Sequence, residues 1–220
     1  MDARLLACSS LVKGDTAADV GTDHGYLPVY LVEKGICQRA LACDVNEKPL
    51  ASARANIARA GLSDRIECFL SDGLDSVPDK GITDVVIAGM GGELAADIIK
   101  RAGWIMERRV NLVLQPMTKW DHLRRFLYDN CFAVTREIPC CEGRFVYSVM
   151  QAVYTGEQPH YPCDVRYLYC GLVSGDTDDG AAYLKRQAQR LAAAGRGMLR
   201  DPDRKQLGEE YIRAAEQLLR

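Results

Sequence analysis

The run Asp19-Val20-Gly21-Thr22-Asp23-His24-Gly25-Tyr26-Leu27-Pro28 holds the densest chemistry in the chain. Its glycines allow a tight turn and close approach of backbone to a ligand. A dinucleotide-binding loop would read G-x-G-x-x-G and aim a helix N-terminus at a pyrophosphate. Here an acid precedes the first glycine and another stands at the centre, giving D-x-G-x-D-x-G. Carboxylates repel phosphate and suit a cation, such as a ligand carrying an amino-acid ammonium group. Asp44, in Ala42-Cys43-Asp44-Val45-Asn46, follows Gly25 by 19 residues, a spacing at which an acid can accept both ribose hydroxyl protons. Asp72, in Ser71-Asp72-Gly73-Leu74, is placed to take an adenine amino group. Any one of these acids alone is better explained as a turn or helix-cap residue. Three in this order point to a pocket for S-adenosylmethionine.

Cofactor contacts are therefore expected from Asp19, Gly21, Thr22, Asp23, Gly25 and Tyr26, from Asp44 and Val45, and from Asp72 and Gly73. A second glycine-rich segment, Ile87-Ala88-Gly89-Met90-Gly91-Gly92-Glu93, holds more glycines than a plain strand-to-helix turn needs. Ala88 and Gly89 are expected beside the cofactor. Met90, Gly91 and Gly92 are expected on the side of the methyl acceptor, with Gln115 and Pro116 of Leu114-Gln115-Pro116-Met117. The Asn/Asp-Pro-Pro-aromatic tetrad of many amino-methylating enzymes is absent.

The elements that would carry these residues alternate. Thr16–Val20, Arg39–Cys43, Ile66–Leu70, Asp84–Ala88 and Leu112–Gln115 read as strands, several too continuously apolar to face water. Leu27–Lys34, Pro49–Ala60, Glu93–Ala102 and Trp120–Asn130 have apolar residues at helical spacing. Such alternation predicts a parallel sheet with helices on both faces, whose strand tips bind ligands. Phe132–Ile138 and Phe145–Tyr154 are strand-like with no room between them for a crossover helix, so they must be antiparallel. A parallel sheet that ends in an antiparallel hairpin is the α/β, Rossmann-like class I methyltransferase pattern, with seven strands. Residues 156–179 read as a connection. Ala181–Ala194 and Arg204–Leu219 then read as a helical hairpin, its helices separated by Gly195-Arg196-Gly197 and Asp201-Pro202, with Tyr183, Leu184, Leu191 and Met198 facing Leu207, Tyr211, Ala214 and Leu218. The expected division is a methyltransferase domain over 1–155 and a small α-helical, coiled-coil-like domain over 156–220.

Composition sets bounds. The 220 residues are 48% hydrophobic and 26% charged, the usage of a globular protein. No apolar run approaches the roughly 18–20 residues of a membrane span, and the N-terminal residues do not read as a secretory signal. A cytoplasmic protein without membrane partners is expected. The nine cysteines form no C-x-x-C pair and mostly sit in apolar runs, so they read as small core residues, with no metal expected. The net charge of −2 divides unevenly: residues 181–220 carry +4 and residues 1–180 carry −6. That asymmetry points mildly to a polyanion, although on charge alone a solvated helical face is the better explanation.

Asp19–Pro28 (DVGTDHGYLP), Ser71–Leu74 (SDGL), Ile87–Gly92 (IAGMGG) and Leu114–Pro116 (LQP) resemble the bacterial tRNA adenine-N1 methyltransferases of the TrmK type. The resemblance covers residues 1–155 closely and the tail in outline, with Met117 standing where the family usually has Asn. It implies methylation of N1 of adenine 22 in tRNA. It implies that Gly21, Asp23 and Gly25 contact the methionine part of the cofactor, that Asp44 holds the ribose, and that Asp72 and Gly73 flank the adenine. Gly89–Gly92 would line the acceptor side.

Adenine N1 is itself a nucleophile, so positioning is the main task, and a paired adenine must be exposed first. Asp23 and His24 are the expected catalytic pair, with Asp23 accepting the N6 proton or steadying the forming cation. His24 reads equally well as a residue packed beside a helix start. Lys185, Arg186 and Arg190 are expected to grip tRNA, with Arg200, Arg204, Lys205, Lys100, Arg101, Arg124 and Arg125 as further candidates. DNA is not expected as a partner, and the chain is expected to be a monomer or weak dimer. Competing readings are a same-fold enzyme acting on another RNA position, a small molecule or a protein, an NAD-dependent oxidoreductase, and a non-catalytic RNA-binding protein.

Overall fold

The computed structural model describes residues 1–79 and 81–219; Lys80 and Arg220, the latter one of the tail's basic residues, lie outside the described residues. Strands β1 (Thr16–Val20), β2 (Arg39–Asp44), β3 (Ile66–Leu70), β4 (Asp84–Gly91) and β5 (Asn111–Thr118) are parallel. β6 (Phe132–Glu142) and β7 (Phe145–Tyr154) complete a seven-stranded sheet in the order β3-β2-β1-β4-β5-β7-β6, with β7 antiparallel to both its neighbours. Val85, Val86 and Ile87 are consecutive and all buried, because helices cover both sheet faces. The strand order changes direction between β1 and β4, which opens the crevice in which such sheets bind ligands.

The predicted helices appear as α2 (Tyr26–Glu33), α3 (Glu47–Arg59), α4 (Gly92–Arg101) and α6 (Trp120–Asp129). Two short helices escape the periodicity argument: α1 (Ala3–Ser9), capped by the Asp2 side chain on the Leu5 N–H at 2.7 Å, and α5 (Trp104–Glu107). Leu11, Leu27, Leu31, Ala53 and Ile57 pack on one sheet face. Ile98, Ile105, Leu123 and Leu127 pack on the other. Cys8, Cys37, Cys43, Cys140 and Cys170 are buried among the apolar side chains.

Several predicted boundaries move. β4 and β5 run on to Gly91 and Thr118, with register shifts around Met90. β6 runs through Pro139 to Glu142; as an edge strand it tolerates a residue with no N–H to donate. Residues 156–179 contain α7 (Val165–Cys170), capped by Asp164 on the Tyr167 N–H at 2.7 Å.

The tail holds α8 (Asp178–Met198), a 3-10 turn at Pro202–Arg204 and α9 (Lys205–Gln217). α8 continues through Gly195-Arg196-Gly197, where a break was expected, because Gly195 is a crossing point. A Cβ on Gly195 would lie 2.7 Å from the Gly208 carbonyl oxygen, so both residues must lack one for α8 and α9 to touch. Leu191 meets Ala214, Tyr211 and Leu218 as expected. Tyr183 instead turns to the sheet, where its hydroxyl accepts from Arg124 Nη2 at 3.1 Å and lies 3.1 Å from Ser148 Oγ. Beneath it Arg124 forms an ion pair with Glu137, both side chains fully buried. Arg124 also donates to the Leu168 carbonyl at 2.9 Å, and Glu137 accepts the Leu172 N–H at 2.9 Å. One ion pair thus joins α6 and β6 to the segment around α7, with α8 fastened on top. No helix among the described residues is long and apolar enough to cross a membrane.

Candidate active site

The β1–α2 loop is held in place before any ligand arrives. The N–H groups of Gly21 and Thr22 both donate to the Cys43 carbonyl, at 2.8 and 2.9 Å, tying the loop to β2. Those donors are spent, and an anion would find neither of them. Gly21 has φ +77°, and a Cβ there would lie 2.3 Å from Met90 Cε; the absent side chain lets the β4 edge close over the loop. Gly25 is buried at the start of α2, against Ala53. Tyr26 is exposed, with its ring 5.5 Å from that of His24.

A pocket of about 240 Å³ opens at the β1–β4 crevice, lined by Arg4, Leu5, Asp19, Gly21, Asp23, Leu27, Ala88 and Gly89. Arg4 Nη1 donates to Gln115 Oε1 at 3.0 Å, and the same oxygen accepts the Gly89 N–H at 3.1 Å. Gln115, fully buried, is therefore a strut that joins β5, the glycine segment and α1. Asp19 is only 8% exposed. Burial pushes its carboxyl up to about 6, against the pull of nearby Arg4. A pocket that offers a guanidinium and two carboxylates suits both ends of an amino-acid zwitterion. Arg4 is absent from the sequence reading because α1 was. The usable signal was Asp2 as an N-cap with Leu5, Cys8 and Ser9 at helical spacing behind it.

The other expected cofactor residues flank this pocket without lining it. One oxygen of Asp44, at the tip of β2, accepts the Asn46 N–H at 2.7 Å. Val45 and Leu70, 61% and 53% exposed, offer apolar surface beside it, and Asp44 pairs with Leu70 across the sheet. Asp72 lies past the end of β3 and pairs with Arg101 at 3.0 Å, while Arg101 also reaches Asp75 at 2.8 Å. That guanidinium holds the Asp72 carboxyl below its usual range. Gly73 is buried against Ile98.

Asp23 is largely exposed at the mouth of the pocket, its Oδ1 3.1 Å from His24 Nε2. His24 has a left-handed backbone, φ +60°, and its carbonyl accepts from Asn56 Nδ2 at 2.9 Å. On the acceptor side, Met90 and Gly91 form the edge, and Pro116 pairs with Met90. Gly92 is buried beneath the Lys119 carbonyl, 2.1 Å from where its Cβ would be, so it supports the edge from behind. Lys185 is exposed on α8, whereas Arg186 and Arg190 line a different cavity, together with Pro116. One of the further basic candidates is corrected: Arg124 is fully buried on Glu137 and cannot meet RNA. Arg101 stays partly exposed and pairs with Asp72 and Asp75.

The methyltransferase-domain family model matches residues 1–150. The tRNA (adenine(22)-N(1))-methyltransferase of Bacillus subtilis is 30% identical over 181 residues, which are 81% of this chain and 75% of that protein. Streptococcus pneumoniae Sp1610, described as a candidate tRNA (m1A22) methyltransferase, has a structure that matches with a TM-score of 0.85 at 29% identity, all of both chains covered. Its structure in complex with S-adenosyl-L-methionine matches with a TM-score of 0.84 at 28% identity, again over all of both chains. The structure of TrmK from B. subtilis shares the fold, with a TM-score of 0.83 at 22% identity over 100% of this chain and 99% of that one.

Proposed function

The chain belongs to the methyltransferase-domain family and, within it, to the tRNA (adenine(22)-N(1))-methyltransferases, and from that membership we propose that it transfers a methyl group from S-adenosylmethionine to N1 of adenine 22 in tRNA. The observation that carries this reading is the pocket in which Arg4 stands with Asp19 and Asp23, beside the glycine edge of β4. Its two signs of charge fit the carboxylate and ammonium of the methionine part. Gly21 lines that pocket, on a loop tied to β2 through the Cys43 carbonyl. Asp44 would hold the ribose hydroxyls. Val45 and Leu70 would lie under the adenine ring, and Asp72, kept ionised by Arg101, would accept from its amino group.

When bound, S-adenosylmethionine supplies an electrophilic methyl group on a sulfonium sulfur. The protein's own work is alignment and exclusion of water. Met90 and Gly91, held in register by Pro116 and Thr118, would support the adenine edge so that its in-plane N1 lone pair faces the pocket. Asp23, paired with His24, would accept the N6 proton or balance the charge that N1 acquires. Because a Watson–Crick pair hides N1, the base must be unpaired on arrival. We assign chemistry to residues 1–155 and RNA handling in part to residues 156–220, where Lys185, Arg186 and Arg190 would face the phosphates. Acting on tRNA, the enzyme would work in the cytoplasm.

The test is methylation of unmodified tRNA with a labelled methyl donor, followed by mapping of the product nucleoside. N1-methyladenine at position 22 is expected; label elsewhere, or none, overturns the reading. Asp23→Ala should lower kcat at saturating cofactor on the order of 100-fold, with the loss of cofactor affinity read separately by calorimetric titration. A full turnover rate in that variant would remove Asp23 from the chemistry.

A further inference from the structure

We propose that a second cavity, at the seam between the sheet and α8, binds one unpaired nucleotide of the tRNA next to the target adenine. The proposal rests on the tRNA reading above. The cavity measures about 260 Å³. Its floor is Pro116 and Met117 at the end of β5, one wall is the start of β7 from Arg144 to Ser148, and the other is Trp120 with one face of α8. No residue lines both this cavity and the cofactor pocket, and we assign this cavity to a neighbouring base rather than to the one that receives the methyl group. The two sites are nevertheless neighbours, because Pro116 pairs with Met90 of the acceptor edge.

The chemistry of the lining selects the ligand. Arg144, Arg186 and Arg190 line the cavity, and among the described residues none of the three is in a salt bridge. Burial together with the neighbouring Arg186 charge lowers the pKa of Arg190. Guanidiniums crowded without counter-charge create a positive field that an anion relieves. Aromatic surface lies alongside. The Arg190 guanidinium sits 4.3 Å from the Trp120 ring centroid, and that of Arg144 sits 5.1 Å from Phe145. Phe145 stacks on Tyr147 at an interplanar angle of 22° and leaves half of itself exposed at the hairpin tip. Flat π-faces beside unpaired guanidiniums recognise a base and its phosphate together, as proteins that hold unpaired RNA nucleotides do. An acidic peptide would use the charge and leave the stacked rings unexplained.

Equilibrium binding of unmodified tRNA reads the cavity independently of catalysis. Arg144 and Phe145 lie at the exposed hairpin tip, and unchanged melting temperature and cofactor affinity check that their variants fold. Phe145→Ala and Arg144→Ala should each raise the Kd for tRNA about 5- to 50-fold. On tRNAs carrying one abasic nucleotide beside position 22, one such substrate should bind wild type weakly and abolish the further loss from Phe145→Ala. The loss from Arg144→Ala should persist there, because the phosphate remains. Unchanged tRNA affinity in both variants overturns the proposal. So does a Phe145→Ala loss that is equal on every abasic tRNA, which would mean a backbone contact only. Tight binding of free nucleoside monophosphate to wild type, with the tRNA affinity of both variants unaffected, would make this a mononucleotide site and also overturn it. Wild type that binds tRNA through this cavity but does not methylate it would overturn the functional reading alone.

Discussion

Asp19 illustrates how a single residue can exchange stability for binding. Burial lifts its carboxyl from an ordinary 3.8 to about 6, so between roughly pH 4 and 6 the folded protein holds this proton more tightly than the unfolded chain does. Its effect on stability is therefore lost progressively as the pH rises through that window, and above it the buried carboxylate carries its full cost. The same ionised group is what an ammonium needs. Asp19→Asn is expected to raise the melting temperature at pH 7, by the equivalent of about 1–3 kcal/mol, and to give no gain at pH 4. Cofactor affinity in that variant should fall at least about tenfold, whereas wild-type affinity should decline as the pH drops below 6. Melting curves at the two pH values, with calorimetric titration of the cofactor, read both effects. An equal shift in melting temperature at pH 4 and pH 7 would contradict the burial argument. Arg4 works in the opposite sense: its guanidinium offsets the buried acid, and through Gln115 it fastens α1 to the Gly89 turn.

Among the elements, the seam between the sheet and the tail depends on Arg124 and Glu137. Both are fully buried. Burial alone would lower the guanidinium's pKa, but Glu137 and Tyr183 outweigh it and keep the group charged. Removing one partner strands the other: Glu137→Ala should cost about 3–5 kcal/mol, and Glu137→Gln, which keeps an acceptor, should cost less. Denaturant melts measure the loss, and limited proteolysis should show α7 and α8 released first. An alanine variant as stable as wild type would mean that packing alone docks the tail. The α8–α9 crossing makes a separate point. Gly195→Leu places a side chain where the Gly208 carbonyl now lies, with an expected penalty of about 1–3 kcal/mol and cofactor affinity unchanged. Intact packing of α9 in that variant, read from hydrogen exchange at Ala214 and Ala215, would refute the crossing argument.

For the whole molecule, the near-neutral charge of −2 averages an acidic body and a tail of +4. The acids at Asp19, Asp23, Asp44 and Asp72 gather at the tips of β1, β2 and β3, while α8 carries Lys185, Arg186, Arg190 and Arg196, of which Arg186 and Arg190 line the neighbouring seam. Lys185→Ala should reduce the slope of log affinity for tRNA against log salt by roughly 0.7–0.9 and leave cofactor binding untouched. An unchanged slope would make Lys185 a merely solvated residue. The five parallel strands and the closing hairpin were legible because strands buried on both faces must be continuous apolar runs, and a short connection forces antiparallel pairing. The run from Asp19 to Pro28 was legible because glycine and acid at fixed spacing are local facts. Asp19, Gly21, Asp23, Ala88 and Gly89 do line one pocket. Other features depend on residues far apart in the chain. Arg124 looks like a surface cation until Glu137, 13 positions away, neutralises it in the interior. Gly195 looks like a helix breaker until Gly208 comes against it. Arg4 acquires its partners only when Gln115, 111 positions away, is brought beneath it. Local periodicity and spacing thus determined which elements form and which residues stand at their tips. Only tertiary packing decided which charges are buried, which are paired, and which remain open to a ligand, because those outcomes depend on what the chain brings against each group.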